Sequence, residues 1–214
     1  MSGARDTRGW AGRFPGFDVL DQAPHWDRVT ADVVLARTDT PTAVKFFTEP
    51  EEACARALLN LLTGQDGHDG ELAVPVLEMV DSRLAAGETD GWRYDDMPED
   101  GQAWRNTLVL LDADARQLSG TAFADAPPAD QARLVQAVQD LASGNWHGLP
   151  AAHVWSLWTR YACTAFYAHP FAWAEIGFPG PAYPRGYKNI GVGKLEPFEV
   201  GDAHPSEDPV REDV

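Results

Sequence analysis

The sequence predicts an all-α protein: a compact bundle of about five to six helices, with an extended N-terminal arm and an irregular Pro/Gly-rich C-terminal segment. Three observations carry that expectation. Four successive windows between residues 48 and 144 repeat apolar residues at helical spacing and close on a glycine. A fifth window, about 150–168, is apolar over half its circumference. The chain, 214 residues and 44% apolar, is long enough to bury a real core.

Residues 1–47 are rich in Gly, Pro and Asp and show little periodicity. A short helix is expected over roughly Asp27–Arg37. The remainder reads as an arm lying on the domain, held by Trp10, Phe14, Phe17 and Trp26.

The helical domain spans 48–193. Thr48-Glu49-Pro50-Glu51 is a capping box with proline in the first turn, where its missing N–H is harmless. Ala53, Ala57, Leu58 and Leu61 are the expected inward stripe, and Gly64 the stop. The next helix covers about Val74–Ala86, with Val76, Met79, Val80 and Leu84 inward and Gly87 after it. A third runs over about 101–118, burying Trp104, Leu108, Leu111 and Ala115 before Gly120. A fourth follows Asp125-Ala126-Pro127-Pro128 and turns Leu134, Ala137, Val138 and Leu141 inward before Gly144. The stretch 91–100, GWRYDDMPED, reads as a surface loop, since its acids do not fall at calcium-loop positions.

In the fifth window Val154, Trp155, Leu157, Trp158, Tyr161, Ala162, Ala165 and Phe166 sweep about 180°, against the roughly 100° that one core requires. Either this is the central helix of the bundle, or one side of it meets a partner. Pro170 then opens a short sixth helix through Ile176. From Gly177 to Gly186 prolines and glycines exclude regular structure, so Phe178, Tyr183 and Tyr187 must order that segment by packing. Residues 194–214 form an acidic tail, expected to be partly disordered and anchored by Phe198.

The formal net charge is −16, which argues against nucleic acid and anionic lipid as partners. It is unevenly spread. Residues 48–143 carry nineteen acids and six bases, whereas 144–187 carry only Glu175, Arg160 and Arg185. That near-neutral block holds 11 of the chain's 22 aromatics, and depletion of acids among aromatics is the composition of an interface core. Cys54 and Cys163 form no metal or disulfide pattern and read as two buried reduced thiols. No apolar run is long enough to span a membrane and the N-terminus has no leader features, so a cytoplasmic location is expected.

Tests for reactive chemistry return little. There is no HExxH, GxSxG, Walker or dinucleotide motif. His147, His153, His169 and Glu175 could in principle converge on a metal. Simpler roles are His169 as a helix cap, His153 on a polar helix face and Glu175 paired with Arg185 across the Pro/Gly loop.

The run AFYAHPFAWAEIGFPGPAYPRGY, residues 165–187, resembles the gluconate 2-dehydrogenase subunit 3 family through His169, Pro170, Trp173, Glu175, Ile176, Gly177, Phe178, Gly180, Pro181, Ala182, Tyr183, Pro184, Gly186 and Tyr187. A looser likeness reaches back to FFTEPEE at the first long helix. The resemblance implies a small helical, non-catalytic subunit. It carries no cofactor of its own and binds a large subunit of the glucose–methanol–choline flavoprotein class, which holds FAD and oxidises a sugar, sugar acid or alcohol. It also implies support of folding and flavin retention. Export on a twin-arginine leader is common in the family, and this sequence departs from that. The expected partner surface comprises Trp155, Trp158, Cys163, Phe166, His169, Phe171, Trp173, Glu175, Phe178, Tyr183, Arg185 and Tyr187. Four or five outward aromatics would expose roughly 800–1,000 Å². Cys163, at the edge of its helix, is placed to approach a partner thiol. The rival readings are a metal-dependent enzyme using His147, His169 and Glu175, and a homo-oligomer burying the same aromatics.

Overall fold

A computed structural model describes residues 13–39, 43–65 and 74–207. In chain order the helices are α1 (Arg28–Ala36), α2 (Glu49–Thr63), α3 (Val76–Ala85), α4 (Asp100–Ser119), α5 (Pro128–Asp140), α6 (Ala151–Ala168) and α7 (Pro170–Glu175). Among the described residues the only strands are β1 (Asn145–Trp146) and β2 (Leu149–Pro150), a small antiparallel pair. The fold is therefore all-α. The chain divides into two compact units, one drawing on residues 13–39 and 167–207, the other on 43–65 and 74–166. Trp10, one of the expected anchors of the arm, lies outside the described residues.

The unit of residues 43–166 is built on α4 and α6. Trp104, Leu108 and Leu111 of α4 and Trp158 and Tyr161 of α6 are all at most 1% exposed. Trp104 meets Phe47 and Tyr161 edge-on, with centroids 6.0 and 5.8 Å apart, the geometry that the ring quadrupole favours. The Trp158 indole donates to the Thr107 hydroxyl at 3.1 Å, whereas the Trp104 indole N–H, equally buried, has no acceptor among the described residues.

The capping signals act where the sequence places them. The Glu51 carboxylate accepts from the Thr48 amide and hydroxyl at 2.9 Å each, and Gly64, Gly87 and Gly120 turn left-handed behind α2, α3 and α4. The faces differ for two helices. α2 buries Cys54, Ala55, Leu58 and Leu59 and leaves Ala53 exposed; α5 buries Gln131, Val135 and Val138 and leaves Ala137 and Leu141 exposed. Both helices carry apolar residues over a wider arc than one core covers, so tertiary packing decides which of them turn inward. α3 also turns Leu77 and Asp81 inward.

Asp81 ties the entry to α2. Fully buried, it accepts from the backbone N–H groups of Lys45, Phe46 and Phe47 at 2.7, 2.8 and 3.0 Å. The 91–100 loop is strapped to α6. His153 stacks on Tyr94 at 3.6 Å and shares a hydrogen bond with Asp96 at 2.8 Å. Arg160 and Arg83 both reach Asp90, and the Tyr161 hydroxyl donates to Asp100 at 2.7 Å. The β1–β2 hairpin was not foreseen. It turns on His147 and Gly148, both at positive φ, and Asp114 on α4 holds it by accepting from the Trp146 indole at 2.9 Å.

α6 answers part of the question that its broad apolar arc raises. Val154, Leu157, Trp158, Tyr161, Ala162, Ala165 and Phe166 are all buried, while Trp155 is half-buried and Cys163 exposed. The expectation of two buried thiols thus holds for Cys54 alone. Burial pushes the Cys54 thiol pKa up to about 12, with the nearby Asp112 charge adding to the effect.

Candidate functional site

From Tyr167 onward the family-like run lies in the unit of residues 13–39 and 167–207, and its local structure follows from short-range chemistry. His169 stands before proline in extended backbone and caps α7, its Nδ1 accepting from the Phe171 N–H at 3.2 Å. Burial holds the His169 pKa below its ordinary value, so the ring stays neutral and free to accept. After α7 the chain turns at Gly177 and Gly180, both left-handed, and continues irregularly to Tyr187.

What orders this segment is the N-terminal one. Asp18 caps a 3-10 turn over Val19–His25, and Asp27 caps α1 by accepting from Thr30 at 3.0 Å. Val19, Trp26, Val34 and Trp173 form a small core, with Phe17, Leu20, Ala23 and Ala31 packed against it. The glycines are seats. A Cβ on Gly180 would stand 2.6 Å from a Trp26 ring carbon and 3.2 Å from Val19, and one on Gly177 would overlap the Phe14 ring. Phe14, Phe17 and Trp26 thus hold the arm as expected, through a helical turn and helix rather than an extended strand.

Trp173 is 7% exposed. Its indole donates to the Tyr167 carbonyl at 2.6 Å, Phe178 meets it edge-on and the Arg37 guanidinium lies 5.4 Å over its ring. Arg185 donates to the Gln22 side chain at 2.9 Å and stacks 3.9 Å over Phe198, in place of the expected ion pair with Glu175. Its Nε and Nη2 are buried with no acceptor. Phe198 anchors the tail as expected, and Arg13 reaches across to Asp202.

The twelve predicted surface residues therefore separate. Trp155, Trp158, Cys163 and Phe166 belong to the unit of residues 43–166, the other eight to the unit containing α7. Trp158, Phe166 and Trp173 are buried and present little or no surface. His169, Phe171, Glu175 and Arg185 are half-buried, and Phe178, Tyr183 and Tyr187 are exposed at 38%, 65% and 54%. With Tyr167 at 42%, the exposed aromatics of this unit amount to roughly 400 Å², half the expectation. Sequence reasoning missed the aliphatic side chains beside them, Ile176, Ile190, Val192 and Leu195, which are also exposed. Of the residues considered for a metal, His147 is hydrogen-bonded to Asp114 at 2.8 Å and His169 caps α7. Among the described residues no three His, Cys, Asp or Glu side chains gather as a metal site.

Residues 49–180 match the family model for gluconate 2-dehydrogenase subunit 3, more than half of the chain. The chain belongs to the gluconate 2-dehydrogenase subunit 3 family. No curated protein and no solved structure gives a match. The family is by name that of a dehydrogenase subunit, which gives the chain its coarse role. The match runs from α2 through Gly180, so the residues that fill the seats at Gly177 and Gly180 (Phe14, Val19 and Trp26) come from outside it. Among the described residues no helix is long and apolar enough to cross a membrane.

Proposed function

We propose that this chain is a non-catalytic accessory subunit. Its partner is an FAD-dependent large subunit of the glucose–methanol–choline class that oxidises a sugar, sugar acid or alcohol. The small subunit binds that flavoprotein and stabilises its folded, flavin-loaded form, while FAD and substrate sit on the large subunit. Binding to the native partner and not to its unfolded chain is sufficient for such stabilisation, by mass action.

One observation carries this reading: a family-specific run that the chain orders against its own N-terminal segment while leaving Phe178, Tyr183 and Tyr187 in water. The aromatics alone match the ~300–600 Å² of a monomer's largest patch, and the exposed aliphatics of the same unit extend the area toward the ~800 Å² per partner of a standard interface. Co-expression with a glucose–methanol–choline class large subunit from the same organism is the test. The reading requires that the two co-elute, and that the large subunit made alone loses its yellow colour or precipitates. A large subunit that is stable, yellow and active by itself, and never co-elutes, defeats it.

A further inference from the structure

Residues 186–196 form a loop with a polar interior. Its centre is the Glu196 carboxylate, 4% exposed, which accepts from the amides of Lys188 and Asn189 and, at 3.4 Å, from the Asn189 side chain. That side chain also donates to the Leu195 carbonyl at 3.1 Å. The Glu196 N–H is taken by Glu199 at 2.6 Å, and the Lys194 N–H returns to the Gly191 carbonyl at 3.2 Å. Gly186 and Gly193, at φ 68° and 70°, supply the left-handed corners.

The apolar side chains point the other way. Ile190 is 84% exposed and Val192 fully so, with Tyr187 and Leu195 half-exposed beside them in the chain. Lys188 and Lys194, two of the chain's three lysines, are exposed on the same loop. Burying a carboxylate is tolerated only because backbone donors meet it, and two β-branched side chains left in water contribute nothing to the loop's own stability. The result is a backbone fixed in advance, with its apolar tip outward. Preorganisation of this kind lowers the entropy lost when a partner is bound.

We propose that loop 186–196 is a docking tip: Ile190 and Val192 enter an apolar pocket of the flavoprotein large subunit, whose rim carboxylates face Lys188 and Lys194. This rests on the accessory-subunit reading above. The tip continues the chain directly from Tyr183 and Tyr187, so the contact surface runs from the family-like run into the loop. A second copy is the poorer occupant, because a symmetric contact would set lysine pair against lysine pair between chains that each carry −16. An anionic lipid surface would attract the two lysines and repel the rest of the chain.

The full chain co-expressed with the large subunit provides the test. Ile190→Ser/Val192→Ser should weaken the complex about 100-fold, as expected when two central apolar anchors are lost. The unfolding midpoint of the free variant should not change, since both side chains already stand in water. Lys188→Glu/Lys194→Glu should slow association and remove its salt dependence. A wild-type complex that tolerates the serine pair within threefold overturns the inference and leaves the accessory reading intact; no wild-type complex at all overturns both. Two further results also overturn it. One is co-sedimentation of the chain with phosphatidylglycerol-containing vesicles that the serine pair abolishes. The other is a homodimer, seen by light scattering, that the serine pair dissolves.

Discussion

Alanine at position 180 adds one methyl group where the structure has no room for it. The backbone there is left-handed, φ 76°, which costs an L-residue about 1–2 kcal/mol. The new Cβ would lie 2.6 Å from Trp26 and 3.2 Å from Val19. Those residues are 7% and 0% exposed, so neither can swing into solvent, and overpacking of this kind costs about 1–3 kcal/mol more. The sum is about 2–5 kcal/mol. Gly186→Ala isolates the backbone part, because Gly186 has φ 68° with nothing within 4 Å of an added Cβ. It should cost only about 1–2 kcal/mol. Urea unfolding of the two variants at equal m-value measures the difference, and limited proteolysis between residues 13 and 39 should be faster for Gly180→Ala alone. Equal urea midpoints would refute the claim that the N-terminal segment is seated on the family-like run.

Three other outcomes follow from the geometry. Asp81→Ala strands three backbone N–H groups, one of them fully buried, and should cost about 3–5 kcal/mol by urea unfolding, while Asp81→Asn keeps an acceptor and should cost about 1–2. Burial depresses the His169 pKa below 6.5, so the unfolded chain takes up that proton first. Stability should fall as pH drops through 6.5 toward the lowered folded value, and His169→Asn, which still caps, should flatten that slope. Thiol titration of the native protein at pH 8 should find Cys163 reacting, slowed by the partial burial that raises its pKa, and Cys54 silent until denaturant is added, since burial pushes its pKa up to about 12.

The signals that survive from sequence to structure are the local ones. Thr48 with Glu51, Asp27, His169 before proline, and Gly64, Gly87 and Gly120 each act within four residues, and they place the helix ends to within a residue or two. Facing is less legible. α2 and α5 carry apolar residues over a wider arc than one core covers, so the choice between Leu61 and Leu59, or Leu134 and Val135, is made by tertiary packing. The surface was legible in kind and misread in detail. Trp173 and Tyr183 belong to one run, yet one is enclosed by residues 130 or more positions away and the other is left in water. Nothing local announces that Arg185 will find Gln22, or that Glu196 will take the interior of its loop and turn Ile190 outward.

The most direct measurement is the flavin content of the large subunit with and without this chain. The two proteins are co-expressed, the tagged small subunit is captured, and FAD is read by its visible absorbance against protein in the eluate. The account predicts a complex near equal stoichiometry with flavin close to one per large subunit, and a flavin-poor or insoluble large subunit when the small one is omitted. A large subunit that fills with FAD to the same level in its absence, and is never captured with it, would contradict the account.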